Sequence, residues 1–176
     1  MSEEAQESIE MEADDGSDNT IRNHVIGSMG VGLIPIPVVD LVALTGIQVN
    51  MLRKLANTYD IPFSKDKVKT ILASLIGGGI PVTFSTAFAS LMKTVPLIGT
   101  TTGALAMPIL AGATTYAVGK VFTQHFACGG TFLNFNPEAV REYYYEMFKE
   151  GQDMAADMKG GDKKTEKKTE EKSEKK

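Results

Sequence analysis

Apolar residues recur at intervals of three and four along much of the chain, and this spacing predicts helices. The clearest case spans residues 38–59, whose apolar positions include Leu41, Leu44, Ile47, Met51, Leu52 and Leu55. A shorter helix is predicted after Ser64, and a last one over residues 137–151, with Asn136 as its N-cap and Pro137 at its first position. The fold class is therefore predicted to be all-α, with amphipathic helices on both sides of a central hydrophobic segment.

That central segment consists of two uncharged runs, residues 71–92 and 94–119, which Lys93 separates. At ~1.5 Å per helical residue, each run is long enough to cross a hydrocarbon layer of ~30 Å. Helices without charge on any side must be surrounded by lipid or by other protein, and a folding unit of this size has few other helices to enclose them. We therefore expect a helical hairpin in the bilayer, with a packed helical core as the alternative.

Glycine and proline interrupt both runs. Proline lacks the N–H that continues a helix, and small residues let another backbone approach closely, so we expect breaks in the helices and tight helix contacts. The positions expected to act as hinges or in helix packing are Gly77, Gly78, Gly79, Pro81, Gly99, Gly103 and Gly112.

Charge divides the chain into three parts. Residues 1–19 carry only acidic charges, and residues 159–176 are mainly Lys mixed with Glu. Both ends are poor in apolar residues, so we expect a disordered acidic leader, a helical membrane-associated domain over residues 20–158 and a disordered tail.

The distribution of basic residues also predicts an orientation. Arg53, Lys65 and Lys69 are among the basic residues before the hairpin, Lys120 follows it, and the connecting turn contains only Lys93. Positive charge is enriched on the cytoplasmic side of membrane proteins, so we expect a protein of the cytoplasmic (inner) membrane with both termini in the cytoplasm. The acidic start of the chain also lacks the basic segment with which a secretory signal begins.

Candidate polar chemistry is sparse. Asp40 and Gln48 lie on the apolar side of the helix over residues 38–59. Asp40 is in the first turn, where a carboxylate meets free N–H groups, and Gln48 is expected to bond to a neighbouring helix more readily than to a ligand. His125 and Cys128 are a weak metal or redox pair, for which a packed histidine and a buried thiol are the stronger interpretation.

No complete catalytic or cofactor motif is present in the sequence. A zinc site needs about four ligands, and the chain has neither C-x-x-C nor H-x-x-x-H spacing. Its glycine runs lack the G-x-x-x-x-G-K-[ST] pattern of a nucleotide loop. The Lys-rich tail is interleaved with Glu, which argues against nucleic-acid binding. We therefore expect no enzyme activity, no cofactor and no metal.

Several short motifs resemble the domain-of-unknown-function family 697. They are Ile34-Pro35-Ile36-Pro37 with Asp40, Ile47-Gln48, the Gly77-Gly78-Gly79 run, Pro96-Leu97-Ile98-Gly99-Thr100, and the stretch from Ala113-Thr114-Thr115-Tyr116 to His125-Phe126 and Gly129-Gly130. The resemblance covers about residues 21–151. It implies a bacterial, α-helical, membrane-associated module without known catalysis, which is sometimes fused behind a small GTPase domain.

The predicted function is therefore a non-enzymatic membrane adaptor or anchor, in contact with lipid and with a protein partner. Because no GTPase domain is present in this chain, a GTPase would have to be a separate partner. Two alternatives stay open. One is a small oligomeric channel or transport component whose broken helices line a polar path. The other is a soluble helical bundle that forms homo-oligomers through its small-residue faces.

Overall fold

The computed structural model describes residues 3–33, 37–77 and 103–173, with side chains described over residues 15–33, 42–76 and 107–159. These residues contain no strand, so the all-α prediction is confirmed. A π-helical segment, Ala73–Gly77, continues the third helix. The helices are α1 (Glu3–Val31), α2 (Pro37–Thr58), α3 (Lys65–Leu72), α4 (Gly103–Ala127) and α5 (Arg141–Ser173).

Helix α4 lies at the centre of the described fold. It packs against α1, α2 and α5. From Ala111 to Thr123, every side chain is buried except those of Thr114 and Lys120, which are half-buried. The uncharged residues 111–119 of α4 therefore face neighbouring protein, as the packed-core interpretation of the second run expects.

The predicted membrane hairpin is only partly described. Most of the first run, from residue 78, and the start of the second lie outside the described residues, and so does the connection between them. Among the helices that are described, none has the length and apolar character needed to cross a bilayer.

Close backbone approach joins α4 to its neighbours. A Cβ atom built on Gly119 would lie 2.6 Å from Ile21 Cγ1 and 3.0 Å from Ile21 Cδ1, on α1. Ile21 is only 1% exposed, so its side chain has little room to move aside. The absence of a side chain at Gly119 therefore lets α1 and α4 pack at this distance.

Aromatic rings fill the space around the carboxyl end of α4. Phe122 stacks on Phe135 with ring centroids 4.4 Å apart, and Phe126 meets Phe132 edge-on at 5.1 Å. After α4 the chain turns at Gly129. This residue, at φ 77°, takes the left-handed conformation that often ends helices. Helix α4 therefore ends just before this glycine.

The predicted boundaries hold best where apolar periodicity is strong. The helix expected over residues 38–59 is α2, Pro37–Thr58. The last helix begins at Arg141 rather than Pro137, after a turn in which Asn136 Oδ1 accepts hydrogen bonds from the N–H groups of Glu138 (3.0 Å) and Ala139 (3.4 Å).

Helix extends into both charged ends of the chain. Helix α1 begins at Glu3 and α5 continues to Ser173. In the described part of the acidic leader, Ser17 is fully buried and Asp18 forms an ion pair of 2.6 Å with Lys120 of α4. Residues 17 and 18 are therefore held against the helical domain.

Replacing Gly119 by Ala tests the contact with α1. Overpacking a rigid core costs about 1–3 kcal/mol, and the gain in helix propensity offsets up to about 1 kcal/mol of this. The variant should therefore lower the free energy of unfolding by roughly 1–2 kcal/mol, measured by denaturant titration followed by circular dichroism.

Gly27→Ala is the matched control. Gly27 is an exposed α1 residue whose added Cβ would meet nothing within 4 Å. This substitution should raise the stability by up to about 1 kcal/mol. Equal stability changes in the two variants would contradict the close packing at Gly119.

Candidate functional site

Three of the most deeply buried polar side chains in the described fold lie at the junction of α1, α2 and α4. Ser28 and Thr115 are completely buried, and Gln48 is 1% exposed. Ser28 Oγ lies 2.7 Å from Thr115 Oγ1, and Gln48 Nε2 lies 3.5 Å from the same Thr115 oxygen. One threonine on α4 thus contacts polar side chains of two other helices.

The proton directions in this network follow from the geometry. Ser28 has one hydroxyl proton, which it donates to the carbonyl oxygen of His24 at 2.6 Å. The Thr115 hydroxyl must therefore donate to Ser28 Oγ, and a lone pair of Thr115 accepts from Gln48. The resulting chain runs in one direction, from Gln48 through Thr115 and Ser28 to the backbone of α1.

His24 extends the polar contacts towards the surface. Its Nδ1 lies 2.7 Å from the carbonyl oxygen of Thr20, which cannot donate, so Nδ1 carries the proton. Its Nε2 lies 3.3 Å from Asn50 Nδ2 on α2 and accepts that hydrogen bond. The imidazole therefore links α1 to α2 through Nε2, while Nδ1 is bonded within α1.

The arrangement differs from a nucleophile–base pair. A catalytic serine must donate its proton to the imidazole, whereas Ser28 donates to a backbone carbonyl and His24 Nε2 faces Asn50. The geometry instead satisfies buried polar groups between helices. It also fixes the register of α1, α2 and α4, because sliding one helix would separate the partners.

The sequence-predicted site residues do not come together. Gln48 makes the interhelical contact expected of a buried amide. Asp40 lies near the start of α2, and its side chain is outside the described residues. His125 lies ten residues beyond Thr115 on α4, about 15 Å along the helix axis.

His125 and Cys128 do not share a site. His125 Nε2 lies 3.0 Å from the carbonyl oxygen of Thr131, its ring meets Phe135 edge-on at 5.1 Å, and Cys128 is exposed. Gly130 lies so close to the imidazole that a Cβ atom would collide with it. Within the described residues, no group of three or more His, Cys, Asp or Glu side chains could hold a metal ion.

The predicted packing positions are only partly described. Gly77 ends the π-helical segment and Gly103 begins α4. Gly112 is buried in α4, where an added Cβ would lie 2.8 Å from Met29 Cγ of α1 and 3.2 Å from Ala155 Cβ of α5. The remaining predicted positions, which lie outside the described residues, are Gly78, Gly79, Pro81 and Gly99.

A second set of polar contacts ties α5 and α1 to the outer face of α4. The Tyr116 hydroxyl donates to the Glu150 carboxylate of α5 at 2.7 Å. Lys120 Nζ lies 5.9 Å from the centroid of the Tyr116 ring and forms the ion pair with Asp18 of α1.

Tyr144 of α5 is buried. Its burial raises the pKa of the phenol above the usual value, so the phenol stays protonated.

Sequence reasoning identified Gln48 but missed its partners. Periodicity shows that Gln48 lies on an apolar face, but it does not show which helix covers that face. Thr115 lies in a run of small and apolar residues, where a hydroxyl most often bonds to its own helix. The available signal was the spacing of four between His24 and Ser28, which places two polar side chains on one face of α1.

Thr115→Val tests the importance of the polar junction. Valine keeps the volume of threonine but removes the donor to Ser28 and the acceptor of Gln48, and a buried unpaired polar group costs about 1–3 kcal/mol. We expect the free energy of unfolding to fall by about 2–3 kcal/mol in denaturant titrations.

Thr70→Val provides the comparison. Thr70 is exposed and donates to the carbonyl oxygen of Asp66 in its own helix at 3.0 Å, so its loss should cost less than about 1 kcal/mol. If the two valine variants were equally stable, the Thr115 network would have no special part in holding the helices together.

Comparison with known proteins places the chain in a family. The family described as Domain of unknown function (DUF697) matches over residues 1–151. The protein named Magnetosome membrane protein 22, from Magnetospirillum gryphiswaldense, is 36% identical over 144 residues, which cover 81% of this chain and 74% of that protein. No solved structure matches the chain. The resemblance inferred from the short motifs is thus confirmed, and the chain belongs to the DUF697 family.

Proposed function

We propose that this protein is a non-enzymatic, membrane-associated helical module that acts as an adaptor or anchor. The relative from Magnetospirillum gryphiswaldense is named as a membrane protein and matches most of both chains, which supports membrane association. Because protein encloses the middle of α4, we place the lipid contact on another part of the molecule.

The observation that carries the proposal is an exposed apolar end of the bundle. Leu33, just after α1, is 60% exposed, Val42, in the second turn of α2, is 68% exposed, and Met107, near the start of α4, is 49% exposed. Gly32 and Pro108 pack so closely that a Cβ on Gly32 would lie 2.9 Å from Pro108 Cα, so Leu33 and Met107 lie at the same end. Pro37, the first residue of α2, follows Leu33 by four residues, or at most about 14 Å of chain, which keeps the first turns of α2 near this end. Large apolar side chains exposed together are typical of contact with lipid or another protein.

The sequence adjoining this end supports lipid as the contact. The chain enters α4 from the uncharged stretch that begins at residue 94, and it leaves the π-helical segment into the uncharged stretch that continues to residue 92. We propose that these stretches meet the bilayer while both termini remain in the cytoplasm, in keeping with the basic residues on either side.

Cell fractionation tests the membrane part of the proposal. The full chain should remain in the pellet after carbonate washing and ultracentrifugation, and detergent should release it. Changing Leu33, Val42 and Met107 to Gln should move much of the protein to the supernatant, since each buried apolar side chain contributes about 1.5–3 kcal/mol. Recovery of the unchanged chain in the supernatant would overturn membrane association.

The control variant also replaces exposed apolar residues by Gln, but at positions outside the proposed contact. Ile26 and Leu133 are also exposed, at 52% and 78%, but they lie away from the proposed contact, on α1 and in the loop after α4. The double variant with Gln at these positions should stay in the pellet.

Protease added to spheroplasts tests the proposed orientation. It should leave the C-terminal tail intact, and cleavage of the tail would contradict a cytoplasmic C-terminus.

The adaptor part of the proposal predicts a protein partner. A separate GTPase is the candidate that the family resemblance suggests. A pull-down of the full chain from a detergent extract should recover a partner in stoichiometric amount. Recovery of the chain alone would favour an anchor without a protein partner.

A further inference from the structure

A groove of about 640 Å³ runs along the surface between α2 and α3. Three cationic residues, Arg53, Lys65 and Lys69, line it together with the apolar residues Val42, Val49 and Phe63. Among the side chains that the structure describes, no acidic one is part of this lining, and Asp60 and Asp66, although near in sequence, lie outside it. The groove thus combines positive charge with apolar surface.

Its cations are available for a ligand. In the described part of the chain, Lys120 and Asp18 form an ion pair, whereas Arg53, Lys65 and Lys69 have none and are exposed. Lys65 is the first residue of α3, where the helix dipole adds partial positive charge. The electrostatic environment therefore favours an anion.

The groove has a cationic end and an apolar end. Val42 and Arg53 are eleven residues apart on α2, which corresponds to about 16 Å along the helix. Val42 belongs to the exposed apolar end of the bundle, while Arg53 lies near the carboxyl end of α2, close in sequence to the start of α3. A ligand that matches both ends must itself be amphiphilic, with a negative head and an apolar tail.

We propose that this groove binds an anionic phospholipid, with the phosphate headgroup at Arg53, Lys65 and Lys69 and an acyl chain directed towards Val42. The assignment rests on the proposed membrane association, because the apolar end of the groove is part of the surface assigned to lipid. Free phosphate would use the cations but not the apolar length. An acidic protein segment would use the cations without needing the exposed valine.

The experiment uses the full chain, held in amphipol, with a reporter in the groove. The sequence has no tryptophan, so Phe63→Trp introduces a single indole. Phe63 is half-buried, and its ring lies 6.0 Å from that of Phe132, so the larger ring occupies a defined position. Short-chain, brominated phosphatidylglycerol, added below its micelle concentration, should quench the indole saturably. Brominated phosphatidylcholine of the same chain length should not.

Charge removal provides the matched comparison. In the Phe63→Trp background, Arg53→Gln, Lys65→Gln and Lys69→Gln together should weaken phosphatidylglycerol binding about tenfold or more, the loss expected for even one charge-assisted contact. The control changes Lys54, Lys67 and Lys149, which are exposed and outside the groove, to Gln. It removes the same charge and should leave the affinity within about twofold, with circular dichroism showing that both variants fold.

Each other outcome overturns the assignment. Equal quenching by both lipids would show that charge does not select the ligand, and equal affinities of the two triple variants would place the lipid elsewhere. Competition by glycerol phosphate or by an acidic peptide at the same concentration as the lipid would show a simple anion or peptide site. The lipid in this experiment is monomeric, so its binding to the groove is measured without any membrane. Cell fractionation tests membrane association, and quenching tests the groove, so the failure of one proposal can be distinguished from the failure of the other.

Discussion

The close approach of α1 and α5 to α4 is the constraint on which the described structure depends. At Gly119 and Gly112 the neighbouring side chains, Ile21 and Met29, occupy the space in which a Cβ atom would stand. Dispersion forces fall steeply with distance, so helices at this separation gain contacts that bulkier interfaces lose. The lack of charge over residues 111–119 of α4 therefore has a cause within the protein: a helix segment enclosed on several sides has little room for a charged side chain.

Close packing alone does not fix how the helices align, because small and apolar surfaces can slide. The polar chain from Gln48 through Thr115 to Ser28 supplies that alignment. Each member is buried, and each would be left unpaired by a shift of one helical turn, which makes the alternative registers expensive. His24, with Asn50 as its partner on α2, adds a second point at which the same helices must meet.

A structural feature could be predicted from the sequence where neighbouring residues determine it, and could not where residues distant in the sequence determine it. The extent of α2 and the end of α4 at Gly129 follow from periodicity and backbone conformation, which neighbouring residues determine. The partners of Gln48 could not be predicted, because Thr115 is 67 residues away and periodicity does not say which helices meet. The contacts of Ser17 and Asp18 could not be predicted either, because their partners, Tyr59 just after α2 and Lys120 of α4, are distant in the sequence.

The same distinction bears on the two interpretations of the uncharged runs. Absence of charge shows that a segment avoids water, but it does not distinguish lipid from protein as the surrounding medium. For residues 111–119 of the second run, burial decides in favour of protein. The apolar side chains that remain exposed at Leu33, Val42 and Met107 then become more informative than the runs themselves, because the described fold does not cover them. The groove between α2 and α3 begins at Val42, at this apolar end. Its cationic residue Arg53 lies about three turns further along α2, so apolar and cationic groups occupy different parts of the same groove.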